Sequence, residues 1–289
     1  MKHLHDSIKP LLDLNDAERI EAILKRRWIG YPKAHQILTR MEDLLNHPKI
    51  HRMPNLLIKA ETNNGKSFLL EKFLKEHPPY EAKDDRVVVP ALLTEIPPDA
   101  SSHTIYSLIL DELQITYSYT SKKDVKTQLA FDALERFQVK LLIIDELHVL
   151  MNTTKLKKAQ MLDTLKYLGN RAGVSIVAAG TKEAHTAILS DGQLANRFEP
   201  LELPQWKISS EYRKLLATFE RLLPLKKPSN LQEQNIALEI YAMAGGWIGE
   251  MDTLIKRTAI QAIKDGSEEI TLNLLQKLDW QAPDQRRRI

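Results

Sequence analysis

Short runs of valine, isoleucine and leucine alternate with amphipathic helical patterns through the middle of the chain, and this alternation restricts the fold more than any other feature. Helical patterns begin at Lys66 and span 104–113, 123–137 and about 157–170. Runs without polar alternation predict strands buried on both faces, so we expect a parallel sheet with helices on each side, a three-layer α/β domain. The runs are NLLIKA (55–60), RVVVPALL (86–93), KLLIIDE (140–146) and VSIVAAG (174–180), and LELP (201–204) is a further candidate.

Helical patterns without strands flank this region. Residues 14–47 contain two predicted helices, separated by WIGYP at 28–32. After Trp206, helical periodicity recurs near 209–223, 232–243, 247–264 and 271–278. We therefore predict an N-terminal helical segment (1–50), an α/β core (51–206), a helical domain (207–280) and a basic tail (281–289) that includes Arg286, Arg287 and Arg288.

Composition excludes several classes of site and partner. The chain has no cysteine, which rules out disulfides, thiolate zinc sites and cysteine nucleophiles. No stretch approaches the roughly 18–20 apolar residues that cross a bilayer, and the N-terminus is not an apolar signal, so we expect a cytoplasmic protein without a membrane partner. With a net charge of +3, any contact with nucleic acid must be local.

The stretch ETNNGKS (61–67) follows the first predicted strand, precedes a helix and matches the end of the phosphate-binding pattern G-x-x-x-x-G-K-[ST]. Such a loop turns backbone N–H groups toward anionic oxygens at a helix N-terminus. We expect Lys66 to reach the β- and γ-phosphates of ATP and Ser67 to hold Mg²⁺. Ala60 replaces the first glycine, which is tolerable if its φ is negative. A chance run of small polar residues is the competing interpretation. The predicted nucleotide-binding residues are Glu61, Thr62, Asn63, Asn64, Gly65, Lys66, Ser67 and Phe68.

The run LLIIDELHVL (141–150) supplies two carboxylates at the end of a predicted strand. Asp145 is expected to bind the metal ion through water, and Glu146 to polarise the attacking water. An acidic pair that merely caps a strand end is the alternative. Because a phosphate loop precedes it in the chain, we favour the catalytic interpretation.

Two further residues are candidates for catalysis alongside Lys66 and Glu146. Thr181 follows the next strand and is either a sensor of the γ-phosphate or a helix cap. Arg197 precedes the last strand and is either a finger that reaches a neighbouring subunit's nucleotide or part of a surface salt bridge. Ile29 and Tyr31, within WIGYP, either pack beside adenine or mark a helix break.

Candidate DNA contacts lie on loops outside these motifs. Ser102 and His103 belong to SSHT (101–104), and Lys122 and Lys123 to TSKKD (120–124). Their hydroxyl, imidazole and ammonium groups suit phosphate rather than base edges, so they predict contact with little sequence preference.

Taken in this order, the phosphate loop, the strand with Asp145 and Glu146, Thr181, Arg197 and the helical lid resemble the AAA+ ATPases. More narrowly, RMPNLLIKAETNNGKSFLLEKF, LLIIDELHVL and RWIGYPKAHQILTRMEDLL resemble the TniB/TnsC family of transposition helper ATPases, and the likeness covers about residues 15–265. The resemblance implies a bacterial, DNA-associated ATPase with a P-loop AAA+ core. It further implies assembly on double-stranded target DNA as a ring or filament, and recruitment of a DDE transposase and a TniQ-type targeting protein.

Two residues depart from the AAA+ pattern. Ala60 is one, and Glu250 is the other, because it stands where many AAA+ lids present an arginine to the γ-phosphate. We therefore expect hydrolysis that is slow or that depends on a neighbouring subunit. Two other functions stay open: an AAA+ ATPase that acts on protein partners, and a nucleotide-gated binding module with little turnover.

Overall fold

A computed structural model describes residues 3–98, 100–147 and 154–286, except for the side chains of residues 284 and 285. The chain forms two compact units. One comprises Pro32–Pro204, and the other combines the residues up to Tyr31 with those from Gln205 onward. None of the described helices is long and apolar enough to cross a membrane.

Seven strands are described, all of them in the unit Pro32–Pro204. Five form one parallel sheet in the order β4-β5-β6-β1-β7, and β2 pairs with β3 in a separate antiparallel ribbon. Every residue of β5 and β6 is buried, as expected for strands covered on both faces. The strands are β1 (Asn55–Ala60), β2 (Tyr80–Glu81), β3 (Val87–Val88), β4 (Ala91–Glu95), β5 (Leu141–Asp145), β6 (Ser175–Gly180) and β7 (Phe198–Leu203).

Helices account for most of the remaining described structure. A short 3₁₀ helix at Lys9–Asp13 precedes them. The helices α2 to α8 belong to the unit with the sheet, and α1 and α9 to α13 belong to the other unit. In chain order they are α1 (Asp16–Leu24), α2 (Pro32–Leu45), α3 (Lys66–Glu76), α4 (Thr104–Glu112), α5 (Lys123–Arg136), α6 (Lys155–Ala172), α7 (Lys182–Leu189), α8 (Gly192–Ala195), α9 (Ser210–Arg221), α10 (Gln234–Ala244), α11 (Ile248–Lys264), α12 (Leu272–Lys277) and α13 (Pro283–Arg286).

The predicted strand at 86–93 is wrong as a single element, because Pro90 divides it. Proline has no N–H to donate to a ladder. The Pro90 carbonyl accepts hydrogen bonds from the amides of Lys140 and Leu141, both at 3.1 Å, and the sheet strand begins one residue later. Val87 and Val88 form β3, and the Val89 amide donates to the Phe137 carbonyl at 2.8 Å.

The two helices of the predicted segment 1–50 are divided between the two units. Ile23 of α1 lies in the apolar core of the helical unit, whereas Ile37 of α2 is fully buried in the unit with the sheet. The buried Arg19 fastens α1 to the helical unit, since it donates to the Glu268 carboxylate at 2.8 Å and to the Pro224 carbonyl at 2.7 Å. The unit boundaries therefore fall after Tyr31 and after Pro204.

The predicted basic tail is described only in part. Arg286 is the last residue of α13. Arg287 and Arg288 lie outside the described residues.

Candidate nucleotide-binding site

The carboxyl ends of the parallel strands bring the two main motifs to one edge of the sheet. In the strand register Lys59 pairs with Gly180, Ile144 with Ala178, and Ala60 with Leu203. The loop 61–65 leaves β1 at this edge and leads into α3, while Asp145 ends β5 two strands away. The sheet thus places the phosphate loop and the acidic pair on the same side.

The loop backbone has the form that phosphate binding requires. Asn63 and Gly65 have positive φ values of 61° and 84°, and Gly65 caps α3 without a side-chain hydrogen bond. Among the described residues, no hydrogen bond uses the amides of Gly65 and Lys66, which leaves two N–H groups at a helix N-terminus for an anion. Ala60 is an extended residue of β1, so its methyl group meets the condition of a negative φ.

Lys66 is the positive centre of the site and is 9% exposed. Its ammonium group donates to the Asp145 carboxylate and, at 2.6 Å, to Oε1 of Glu146. The lysine therefore holds both carboxylates of the second motif in this structure. Binding of a triphosphate with its metal ion would replace these contacts. The Lys66 ammonium group would then bind phosphate oxygens, and Asp145 would bind the metal ion.

Ser67 and Asp145 form a pair of oxygen ligands suited to magnesium. The Ser67 hydroxyl lies 3.5 Å from Oδ2 of Asp145, and Ser67 is exposed at the mouth of the site. The described residues contain no cluster of three or more His, Asp or Glu side chains that could hold a metal ion by itself. Such a site fits Mg²⁺, which binds through one or two protein oxygens together with the phosphates of its substrate.

Glu146 sits in a backbone conformation that is uncommon for a residue with a side chain. Its φ is 58°, and its amide donates to Oδ1 of Asp145 at 2.7 Å. Its side chain remains 31% exposed, which gives it access to water. Both carboxylates contact the same ammonium group, and Glu146 is the more exposed of the two, so Asp145 could bind a metal ion while Glu146 contacts water.

Asn64 has a role that its place in the loop did not reveal. It is 2% exposed, and its side-chain amide donates to the carbonyls of Leu203 and Pro204 at 2.7 and 3.1 Å. Leu203 pairs with Ala60, the last residue of β1, so these carbonyls lie where the ladder of β1 and β7 ends. Asn64 therefore anchors the phosphate loop to the end of β7. The sequence contains no signal for this contact, which depends on β7 lying beside β1.

Thr181 lies at the same sheet edge, between the ends of β5 and β1. It occupies the N-cap position of α7, yet its hydroxyl makes no capping hydrogen bond and donates instead to the Glu183 carboxylate. Thr181 therefore stands at the cap position without the capping hydrogen bond, and its role as a sensor stays a prediction.

Arg197 lies at the opposite edge of the sheet from the phosphate loop. Its carbonyl accepts from the amide of Asn55, the first residue of β1, and its guanidinium donates to Oδ1 of Asn170 at 2.8 Å. The length of β1 separates it from the loop within its own unit. A catalytic role for Arg197 therefore has to be exerted on another copy of the chain.

Two residues of the predicted site, Ile29 and Tyr31, belong to the helical unit, as does Glu250. Ile29 is buried in its core, and the Tyr31 ring meets the Trp206 ring edge-on with centroids 5.1 Å apart. Burial raises the pKa of the Tyr31 hydroxyl to about 12. Glu250 is 8% exposed and accepts a hydrogen bond from Arg286. The adenine contact of Ile29 and Tyr31 stays a prediction.

The predicted DNA-contact residues come partly together. Ser102, His103 and Lys123 line one cleft of about 530 Å³, and Lys122 lies beside it at the N-cap of α5. The Ser102 hydroxyl is buried and lies 3.3 Å from Nε2 of His103. Burial, reinforced by the positive charge of Lys123, lowers the pKa of His103 below its usual value, and Asp124 opposes the shift.

Comparison with known proteins identifies the family and the fold. A family model described as bacterial TniB protein matches residues 19–208. Among proteins of curated function, none matches the sequence significantly.

Solved structures with the same fold come from archaeal and eukaryotic proteins. The ORC2 protein of Aeropyrum pernix, in its ADPNP–ADP complexes, is 17% identical with a TM-score of 0.60, and the alignment covers 89% of this chain and 70% of that chain. The ORC1 protein of the same organism, in complex with DNA, is 12% identical with a TM-score of 0.59, over 89% and 67% of the two chains. Drosophila ORC bound to DNA is 14% identical with a TM-score of 0.58, over 94% and 66%. At these identities the likeness shows the fold, which is a P-loop AAA+ core with a parallel sheet.

Proposed function

Because the chain belongs to the bacterial TniB family, we propose that it is an ATP-dependent, DNA-binding regulator of transposition. On this proposal it binds ATP with Mg²⁺, assembles with further copies on double-stranded target DNA, and links a TniQ-type targeting protein to a DDE transposase. The family carries the transposition role. The nucleotide chemistry has its own support in the site.

The observation that carries the proposal is the contact of Lys66 with Asp145 and Glu146 at the N-terminus of α3. These groups come from two motifs 79 and 80 residues apart in the chain, and the buried lysine holds both carboxylates. A cation, a metal-binding carboxylate and a carboxylate open to water are the parts that phosphoryl transfer to water requires. Lys66 would neutralise the phosphates, Asp145 and Ser67 would position the ion, and Glu146 would orient the attacking water.

Support for DNA as the partner comes from the cleft with Ser102, His103 and Lys123, and from two of the solved structures with this fold, which are described as bound to DNA. Contacts of this kind neutralise phosphates, so binding should weaken steeply as salt rises. Target choice would then rest with the partner protein.

The decisive experiment measures Mg²⁺-dependent ATP binding and hydrolysis, with and without duplex DNA. Lys66→Ala should abolish binding. Glu146→Gln should keep nucleotide affinity and lower kcat by about 10²- to 10⁴-fold, as expected for loss of a general base. Glu95 pairs with Asp145 in the strand register, so Glu95→Gln is the matched control and should hydrolyse ATP like the wild type.

Each alternative function has its own outcome. Hydrolysis that duplex DNA leaves unchanged would favour an ATPase that acts on protein. Tight nucleotide binding with turnover that Glu146→Gln does not alter would favour a nucleotide-gated module, an outcome consistent with a carboxylate at Glu250. Absence of Mg²⁺-dependent ATP binding would refute the proposal.

A further inference from the structure

The loop between α4 and α5 presents a tyrosine that the nucleotide site does not use. Tyr119 is 80% exposed, more than any other large apolar residue in the described part of the chain. An exposed apolar side chain needs no explanation by itself. Tyr119 is of interest because contacts with the neighbouring helices hold its loop in place.

Neighbouring helices fix the turn that carries Tyr119. Lys126, on α5, donates to the Tyr119 carbonyl at 2.9 Å and places its ammonium group 5.3 Å from the centroid of the Tyr117 ring. The Tyr117 hydroxyl donates to Asp111, on α4, at 2.9 Å. The rings of Tyr117 and Tyr119 lie 5.4 Å apart. The exposed ring therefore has a supported position, and binding a partner would cost little further ordering.

Positive charge is concentrated on the side of the turn that leads into α5. Residues 120–126 contain three lysines and one aspartate, whereas Asp111 and Glu112 lie before the turn. Lys122 and Lys123 are exposed, and Lys123 also lines the cleft that contains Ser102 and His103. An apolar ring beside exposed ammonium groups suits a polyanion with sugar faces between its charges, which is the chemistry of a nucleic-acid backbone.

We propose that Tyr119 contacts DNA directly, with its ring against the sugar–phosphate backbone of a duplex and with Lys122 and Lys123 at the flanking phosphates. The inference rests on the proposed function. It states that Tyr119 contributes a part of the affinity for DNA that does not change with salt concentration. Lysine contacts release counterions and set the slope of affinity against salt, whereas an uncharged ring contributes equally at every salt concentration.

The test measures binding of the full-length protein to a short labelled duplex at a series of salt concentrations. Binding is detected by fluorescence anisotropy, in the presence of Mg²⁺ and a non-hydrolysable ATP analogue. Tyr119→Ala should weaken binding about five- to tenfold at every salt concentration without changing the slope, because the apolar ring area that the duplex covers is lost. Tyr119→Phe should bind like the wild type. Replacing Lys122 and Lys123 by alanine should lower the slope by about one to two. Tyr80→Ala is the matched control, since Tyr80 is 54% exposed in the same unit, and it should have no effect.

Three results would overturn the inference while leaving the proposed function intact. In the first, Tyr119→Ala binds duplex like the Tyr80 control. In the second, Tyr119→Ala changes the slope rather than the affinity at all salt concentrations. In the third, it binds DNA normally but loses self-association in sedimentation, which would make the turn a contact between copies. A wild-type protein that binds no duplex would instead refute the proposed function, and this inference with it.

Discussion

Replacing Lys66 by methionine should destabilise the protein when no nucleotide is present, because the ammonium group is the counter-charge of two carboxylates. The side chains of Lys66 and Asp145 are 10% and 9% exposed, and that of Glu146 is 31% exposed. Breaking a buried pair costs about 3–5 kcal/mol, and partial hydration of Glu146 offsets some of this, so we expect a loss of about 2–4 kcal/mol. For a unit of this size the melting temperature should fall by roughly 5–12 °C.

The assay is thermal unfolding followed by circular dichroism, in buffer without Mg²⁺ or nucleotide. Lys72→Met is the matched control on the same helix, since Lys72 pairs with Glu76 at 2.6 Å where both side chains are partly exposed. Its loss should stay below about 1 kcal/mol. Adding Asp145→Asn to Lys66→Met should recover much of the stability, because one uncompensated charge is removed. If Lys66→Met unfolds at the same temperature as the Lys72 control, the stabilising role argued for this contact is refuted.

The remaining predictions concern single side chains. Asn64→Leu should lower ATP affinity by about tenfold in isothermal titration, because the phosphate loop loses its anchor to β7. The control is Asn55→Leu, which removes a buried side-chain hydrogen bond at the opposite sheet edge and should lower stability without changing ATP affinity. Equal losses of ATP affinity in the two variants would contradict the role of Asn64. The pKa of His103 is lowered chiefly by burial, so the folded state favours the neutral imidazole. The free energy of unfolding should therefore fall as pH drops below about 6.5. Urea unfolding at several pH values should show that His103→Gln removes the contribution of this residue to the pH dependence. The pKa of Glu268 is lowered chiefly by the hydrogen bond from Arg19, so its contribution is present above its ordinary pKa and lost as pH falls below that value. Glu268→Gln should be less stable at neutral pH and less sensitive to acid, and an unchanged acid profile would contradict this.

Most of the sheet could be predicted from the sequence because its central strands are apolar on both faces. The bounds of β1, β5 and β6 agree with the predicted runs to within one residue. The edge strand β7 is longer than LELP, since Glu199 and Glu202 on it are exposed and interrupt the apolar pattern. Periodicity gives each helix an apolar face but does not say which core that face joins, and for this reason the sequence could not show that α1 and α2 belong to different units.

The motifs of the candidate site could be predicted because their residues are contiguous and follow strands that end at one edge. The contacts that join motifs from distant parts of the chain could not. Asn64 meets carbonyls 139 and 140 residues away, and Glu250 meets Arg286, 36 residues away. Such pairs depend on which strands and helices become neighbours, which local patterns do not encode.

The positions of the charged groups also bear on how hydrolysis would proceed. Lys66 supplies a cation from within the loop, whereas Arg197 lies at the far edge of the same sheet and donates to Asn170. In the sequence, Glu250 occupies the position at which many AAA+ lids carry an arginine, and its own charge is met by Arg286. Charge that accumulates on the phosphate oxygens during transfer needs a further donor, and the predicted arginine finger, Arg197 of an adjacent copy, would provide it. If it does, assembly on DNA would complete the catalytic site and raise turnover.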